Sequence, residues 1–240
     1  MEDFEEVLRI LTEQLSGGGN FGATGAPGAS GTSQVSTEEA TEIKGSVIER
    51  GFSVPLGVSN HHIHLAKQEA DILFGENYQF HILKNLSQPG QYASKETVTL
   101  CGPKGRIDGV RILGPLREQT QVEIFAADCF KLGVKAPIRL SGDLAGTPGI
   151  TIVGPQGSVA IDSGVMVAKR HVHMLPSDAE YYGVVDHQNV SIELEGVRGG
   201  ILRNTIIRVT NTSKLDCHLD IEEANALCPN GTNKIRIIAE

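Results

Sequence analysis

The 240-residue chain has no tryptophan, four cysteines and no surplus of positive charge, and each shortage closes off a class of protein. Cys101, Cys129, Cys217 and Cys228 form no Cys-x-x-Cys pair and lack the density of a disulfide scaffold. They read as reduced, mostly buried thiols, with Cys217 alone standing beside suspected chemistry at His218. A net charge of −8 argues against nucleic acid as a partner, because phosphate backbones select basic surfaces. It leaves room for a small phosphorylated substrate in a local basic pocket. No apolar run approaches the roughly 18 residues of a spanning helix, and no basic segment followed by an apolar one opens the chain. A soluble intracellular protein is the expectation. A Walker A loop and a Gly-x-Ser-x-Gly elbow are absent too.

What is present is glycine, 28 residues of it, among many short Val/Ile-rich runs. That combination predicts a mainly β protein with many turns, built as barrels rather than as a doubly wound sheet. The first 15 residues differ. Phe4, Val7, Leu8, Leu11 and Leu15 gather on one stripe of a short helix, with acidic residues crowding its first turns. Ser16 to Ser33 then holds seven glycines, one proline and small residues, which make a flexible tether. A helix this short is marginal alone and gains order by docking on a partner. Five acidic side chains against the single base Arg9 disfavour a membrane surface.

From about Ile43 the ordered body begins. Strands are predicted at Val54–Val58, Thr97–Leu100, Gly109–Leu113, Gln121–Phe125, Pro137–Leu140, Ile150–Val153, Ser158–Ile161, Val165–Met174, Asn189–Leu194, Ile201–Val209, Asp216–Ile221 and Ile235–Ala239. Short helices are predicted at Leu65–Phe74, at Ser177–Tyr182 with Ser177 as cap, and at Glu222–Leu227.

Two stretches match each other. Asn60-His61-His62-Ile63-His64-Leu65 aligns with Lys169-Arg170-His171-Val172-His173-Met174, and Glu69-Ala70-Asp71 aligns with Asp178-Ala179-Glu180 without a gap. A repeated strand, His pair and helix points to internal duplication. Residues two apart in a strand share a face, so each tripeptide offers two imidazoles side by side. That suits a metal. His218 shares a face with Asp216 and Asp220 and is a further ligand candidate. So is Glu123, with Gln121 on the same face of an apolar strand, although plain solvent-facing alternation would give the same pattern. Asp220, Glu222 and Glu223 suit a helix N-terminus better than a metal. For anions, Arg117 stands in a polar turn running into the Glu123 strand, Ser141-Gly142-Asp143 is a small-residue turn with free amides, and Arg208 interrupts an apolar strand. His61, His81 and His187 have no comparable setting.

Taken together, these motifs resemble the PduL-type phosphotransacylases, the phosphate propanoyltransferases of bacterial microcompartments. The resemblance rests on Ser59 to Leu65, Leu86-Ser87-Gln88-Pro89-Gly90-Gln91-Tyr92, Leu113-Gly114-Pro115 with Arg117, Thr120-Gln121-Val122-Glu123, Ser141-Gly142-Asp143, Arg170 to Met174, and His218-Leu219-Asp220 with Glu223-Ala224-Asn225-Ala226. It covers roughly residues 43–240. The family pattern carries Arg before the first His pair, where this chain has His61.

The resemblance implies two small β-barrels related by duplication, one of residues 60–168 and one of 43–59 with 169–240. Residues 1–15 would be an encapsulation-type helix on the linker 16–42. It implies two zinc ions, one on His62, His64 and Glu123 and one on His171, His173 and His218. Arg117 would be the catalytic residue that grips phosphate, with Ser141, Gln88, Gln121 and Arg208 lining the pocket. The implied reaction interconverts acyl-CoA, propanoyl-CoA for choice, plus phosphate with acyl phosphate plus coenzyme A. Residues 1–15 would bind shell or core proteins of a microcompartment inside the cytoplasm, in a propanediol-degrading setting, and the enzyme could be a homo-oligomer. Two other readings use the same residues: a zinc-dependent hydrolase, and a structural or shell-associated zinc protein.

Overall fold

A computed structural model of the chain describes residues 51–229 and 234–239. The expected helix over 1–15 and linker over 16–42 lie outside the described residues. In chain order the strands are β1 (Val54–Ser59), β2 (His62–His64), β3 (Ile82–Asn85), β4 (Tyr92–Cys101), β5 (Arg106–Gly114), β6 (Gln121–Ile124), β7 (Ile138–Arg139) and β8 (Ile150–Val153). They continue as β9 (Ser158–Ile161), β10 (Val165–Ala168), β11 (His171–Met174), β12 (Asn189–Leu194), β13 (Gly200–Val209), β14 (Asp216–Asp220) and β15 (Lys234–Ile238). The helices are short: α1 (Lys67–Phe74), α2 (Ala126–Leu132), α3 (Pro176–Tyr182) and α4 (Ile221–Leu227).

The mainly β class expected from the glycine and Val/Ile content is what forms. One sheet closes into a six-stranded barrel in the order β1-β14-β11-β13-β12-β15, with β15 pairing back onto β1. The other is a half-barrel of nine strands, β7-β10-β6-β2-β5-β4-β8-β9 with β3 on β4. Each has its own core. Ile63, Leu100, Ile112, Val122 and Ile152 fill the half-barrel, and Val54, Val172, Ile192, Ile207 and Ile235 fill the barrel. These side chains alternate with outward-facing ones along their strands, so pairing the strands buries one face of each.

The sheets exchange chain segments at two equivalent places. β1 belongs to the barrel and runs directly into β2 of the half-barrel; β10 belongs to the half-barrel and runs into β11 of the barrel. The run Val165–Met174, expected as one strand, is therefore two. Lys169 still donates its amide to Arg139 of the half-barrel, whereas the next carbonyl, Arg170, accepts from Ile206 of the barrel. Periodicity could not show this, because a strand that changes sheets keeps its alternation.

Other differences are local. Ser177 does not cap α3; the helix starts one residue earlier on Pro176, and Asp178 Oδ2 accepts the Leu175 amide at 2.9 Å. Pro137–Leu140 shortens to Ile138–Arg139, and β3 and α2 were not expected. α2 has a signal in retrospect: Asp128 Oδ2 accepts the Phe125 amide at 3.1 Å and Gly133 ends the helix with φ +74, the left-handed geometry that glycine adopts freely.

The duplication is legible in register. β2 lies between parallel β5 and antiparallel β6, and β11 between parallel β13 and antiparallel β14. His62 sits opposite Glu123 and His64 opposite Gln121; His171 sits opposite His218 and His173 opposite Asp216. α1 and α3 follow the paired-His strands, and α2 and α4 follow their antiparallel partners.

Candidate active site

Between the two sheets lies a cleft of about 960 Å³, lined from one side by His62, His64, Arg117, Glu123 and Ser141 and from the other by His171, His173, Arg208, Asp216 and His218. The crossovers place it there, since each delivers a His pair just after the chain leaves the opposite sheet. Gly57 of β1 helps keep the cleft open, because a Cβ at that position would come within 3.1 Å of both the Asp216 carboxylate and the His218 ring.

In the half-barrel, His62 Nδ1 lies 2.8 Å from the Asn60 carbonyl and so carries a proton there, and its Nε2 stands 3.3 Å from Glu123 Oε2. Burial alone would lower the His62 pKa, but the Glu123 carboxylate outweighs it and raises it. Glu123 is fully ionised in turn, held far below the usual carboxylate range by His62 against the opposing effect of its own burial. His64 is pushed down to about 3 by burial, then by His62 and Arg117, so it is neutral. Its Nε2 accepts from Arg117 Nη2 at 2.9 Å, and its Nδ1 is buried without a hydrogen-bond partner.

The barrel repeats the arrangement. His171 Nδ1 lies 2.8 Å from the Lys169 carbonyl, the counterpart of the Asn60 contact, and its Nε2 faces His173 Nε2 at 3.0 Å. Burial first, then the neighbouring imidazoles, hold His171 at about 4 and His173 at about 2. His218 Nε2 completes the group and lies 3.0 Å from Asp216 Oδ2.

Ring nitrogens that converge on one point suit a cation site, and His64, His171 and His173 are held neutral for it. Within each triad, His62-His64-Glu123 and His171-His173-His218, the nearest ligand atoms all lie within 4.8 Å of one another. Three atoms each about 2.0–2.1 Å from one tetrahedral zinc would stand about 3.3 Å apart, close to the 3.0 and 3.3 Å separations above. The backbone carbonyls on His62 and His171 are the outer contacts that fix a ligating ring. The residues fit a metal at both positions.

Arg117 bridges the metal-competent group and the Ser141-Gly142-Asp143 turn: Nη1 donates to Ser141 Oγ at 3.0 Å while Nη2 faces His64. Its backbone amide, bonded to the Leu65 carbonyl at 2.9 Å, pins the loop. Arg208 enters from the barrel on β13, opposite His173 in register, and its guanidinium makes no hydrogen bond to a described residue. Burial lowers both guanidinium pKa values, and Arg208 adds to the lowering at Arg117. Two guanidiniums lining one cleft offer charged donors to an anion.

Gln121 is spoken for. Its Nε2 donates to Glu123 Oε1 at 2.6 Å and Ser141 Oγ at 2.8 Å, and its Oε1 accepts the Gly142 amide at 2.7 Å. It therefore orients a carboxylate and a serine. Gln88 lines the cleft but bonds the backbone of Lys214 with both ends of its amide.

Of the neighbouring acids, Asp220 caps α4 by accepting the Glu223 amide at 2.8 Å, Glu222 accepts the Ala127 amide of α2 at 3.2 Å, and Glu223 pairs with Arg170. His61 occupies the matching place before the first His pair and contacts Asp128 at 3.3 Å, so the substitution of His for Arg keeps an acid partner at the equivalent helix start. His81 pairs with Glu96 at 2.7 Å, and His187 lies 3.4 Å from Asp186. One feature escaped sequence reasoning: the carbonyls of Asn60 and Lys169 as outer contacts. Their shared position two residues before a paired His was the available signal.

A cleft that gathers two metal-competent groups and two guanidiniums is suited to an anionic ligand. The phosphate propanoyltransferase family model matches residues 55–230. A phosphate propanoyltransferase of Rhodopseudomonas palustris (strain BisB18) is 51% identical over 186 residues, covering 78% of this chain and 82% of that protein. One of Thermotoga maritima is 52% identical over 184 residues, 76% of this chain and 88% of the relative, and one of Salmonella typhimurium is 50% identical over 174 residues, 72% and 82%. The chain belongs to the phosphate propanoyltransferase family and is an enzyme of the phosphate acyltransferase class.

Proposed function

We propose that the cleft transfers a propanoyl group between coenzyme A and inorganic phosphate. A phosphate oxygen forms a bond to the thioester carbonyl carbon, the C–S bond breaks, and the thiolate of coenzyme A leaves with the electron pair; the reverse direction uses the same groups. The observation that carries this is that Arg117, Arg208 and Ser141 line the same cleft as the two His and Glu triads. Arg117 and Arg208 bind and orient phosphate, converting a two-body encounter into a nearly unimolecular one. Ser141 adds a hydroxyl to the same anion, and Gln121 keeps that hydroxyl and Glu123 in place. Enclosure between two sheets favours phosphate over water as the attacking group.

His62, His64 and Glu123 would hold one divalent ion and His171, His173 and His218 a second, zinc being suited to such nitrogen and carboxylate donors. When bound, such an ion supplies Lewis-acid polarisation of the carbonyl oxygen. Coenzyme A carries several phosphates, and Lys84, Arg111, Lys169 and Arg170 line the remainder of the cleft, giving a basic path for that end of the substrate.

A phosphate-dependent thioester assay across acyl-CoA lengths, with metal counted on the same sample, tests the reading. Propanoyl-CoA should be consumed only with phosphate and yield acyl phosphate. Consumption without phosphate would instead make the enzyme a hydrolase, and metal-dependent folding with no turnover would make it a structural zinc protein. The amphipathic stripe of residues 1–15 supports a second proposal, that this segment docks the enzyme to shell or core proteins of a bacterial microcompartment. Deleting residues 1–15 should leave turnover intact and abolish co-purification with shells; lost turnover would assign the segment to the catalytic fold.

A further inference from the structure

Gln88 occupies the cleft wall, where the resemblance would make it a phosphate contact, yet its amide faces another way. The side chain is 6% exposed; Nε2 donates to the Lys214 carbonyl at 2.9 Å and Oε1 accepts from the Lys214 amide at 3.2 Å. Both ends of one side chain are thus committed to one residue's backbone in the opposite sheet, 126 positions along the chain. Two bonds hold the Gln88 amide to Lys214, and only its second Nε2 hydrogen is left uncommitted.

Each partner of this pair is fixed locally. Residues 86–91 form a tight loop, closed by Leu86 N to Gln91 O at 2.9 Å and Gln91 N to Gln88 O at 3.2 Å. Lys214 ends a turn stiffened by the Thr210 and Ser213 hydroxyls, 2.6 Å apart, and leads within two residues to Asp216 and within four to His218. Beside Gln88, Ser87 Oγ stands 3.4 Å from His218 Nε2. The pair therefore ties a loop of the half-barrel to the start of the barrel strand that carries His218.

We propose that Gln88 is a positioning residue, a latch between the sheets that sets β14, and with it His218, against the phosphate-binding groups of the half-barrel. It is not a ligand of phosphate. The proposal rests on the cleft being the transfer site. There, half the groups belong to each sheet, and a misplacement of about 1 Å between reacting groups costs on the order of a hundredfold in rate. A side chain that joins the halves by two directional bonds controls that distance, whereas apolar packing alone would let the sheets slide.

The test uses two variants of the full chain. Gln88→Met keeps the volume and loses both bonds. Gln88→Glu keeps an acceptor for the Lys214 amide but turns an oxygen toward the Lys214 carbonyl. Amide hydrogen exchange is followed at Lys214, with Val122, whose amide donates to Gly164 within the half-barrel, as the internal control for folding. Kinetics are measured at varied phosphate. For Gln88→Met we expect Lys214 exchange to rise and kcat to fall, each by about tenfold, which corresponds to about 1.4 kcal/mol, with Val122 exchange unchanged and the phosphate KM within about twofold of wild type. For Gln88→Glu we expect the Lys214 amide to stay protected while kcat falls. A phosphate KM raised about tenfold with Lys214 exchange unchanged would make Gln88 a phosphate ligand and overturn the proposal. So would faster Lys214 exchange at wild-type kcat, or a fully active Gln88→Glu. Should wild type prove indifferent to phosphate, the transferase reading fails separately, and the exchange data still report whether the latch exists.

Discussion

Arg117→Ala is the perturbation that most directly probes the anion site. The change removes a half-buried guanidinium that donates to Ser141 at 3.0 Å and to His64 at 2.9 Å, and it leaves the loop anchored through the Arg117 backbone amide. A hydrogen bond to a charged group contributes about 1.5–3 kcal/mol net, and the fork of Arg117 offers two to a bound phosphate. Losing about 3–4 kcal/mol of binding to the attacking group lowers kcat/KM for phosphate by roughly 150- to 900-fold. Arg208 keeps part of the field, so the loss should stop short of inactivity. Arg117→Lys, which restores the charge without the planar fork, should recover about tenfold. Release of coenzyme A, followed with a thiol reagent at varied phosphate, gives both constants, and thermal unfolding of each variant monitors the fold. An Arg117→Ala enzyme with wild-type dependence on phosphate would refute the assignment.

Other expectations follow from the same geometry. On the proposed two-zinc reading, Glu123→Ala and His218→Ala should each lower bound zinc from two equivalents toward one, measured by elemental analysis after gel filtration; two equivalents retained in either variant would remove that residue from its triad. Leu100, fully buried in the half-barrel core, should cost about 2–5 kcal/mol when replaced by alanine, read from urea unfolding, and a loss below about 1 kcal/mol would mean the site collapses around the cavity. Cys217 is fully buried and its thiol is pushed well above the ordinary range, by burial and then by Asp216, whereas Cys228 is exposed. Iodoacetamide near pH 8 should therefore label Cys228 in the native enzyme and reach Cys217 only after denaturation; peptide mapping that finds native Cys217 labelled would contradict its burial.

The sequence by itself determined the secondary structure of most strands and the pairing of His62 with His64 and of His171 with His173, since a period of two is a property of the extended backbone wherever it lies. It also carried the duplication, because two copies of strand, His pair and helix keep the same spacing whatever surrounds them. Asp220, Glu222 and Glu223 were legible as helix-start acids for the same local reason. What only the tertiary structure decided is which residues face each other across sheets. Alternation left Glu123 open between a ligand and a solvent-facing charge, and the pairing of β6 with β2 set it opposite His62. Val165–Met174 read as one strand because alternation does not register that Lys169 bonds one sheet and Arg170 the other. Gln88 and Lys214, 126 positions apart, have no local pattern at all; their contact exists because two crossovers bring separate sheets together, and a side chain bonded to a distant backbone leaves no periodic trace in the chain.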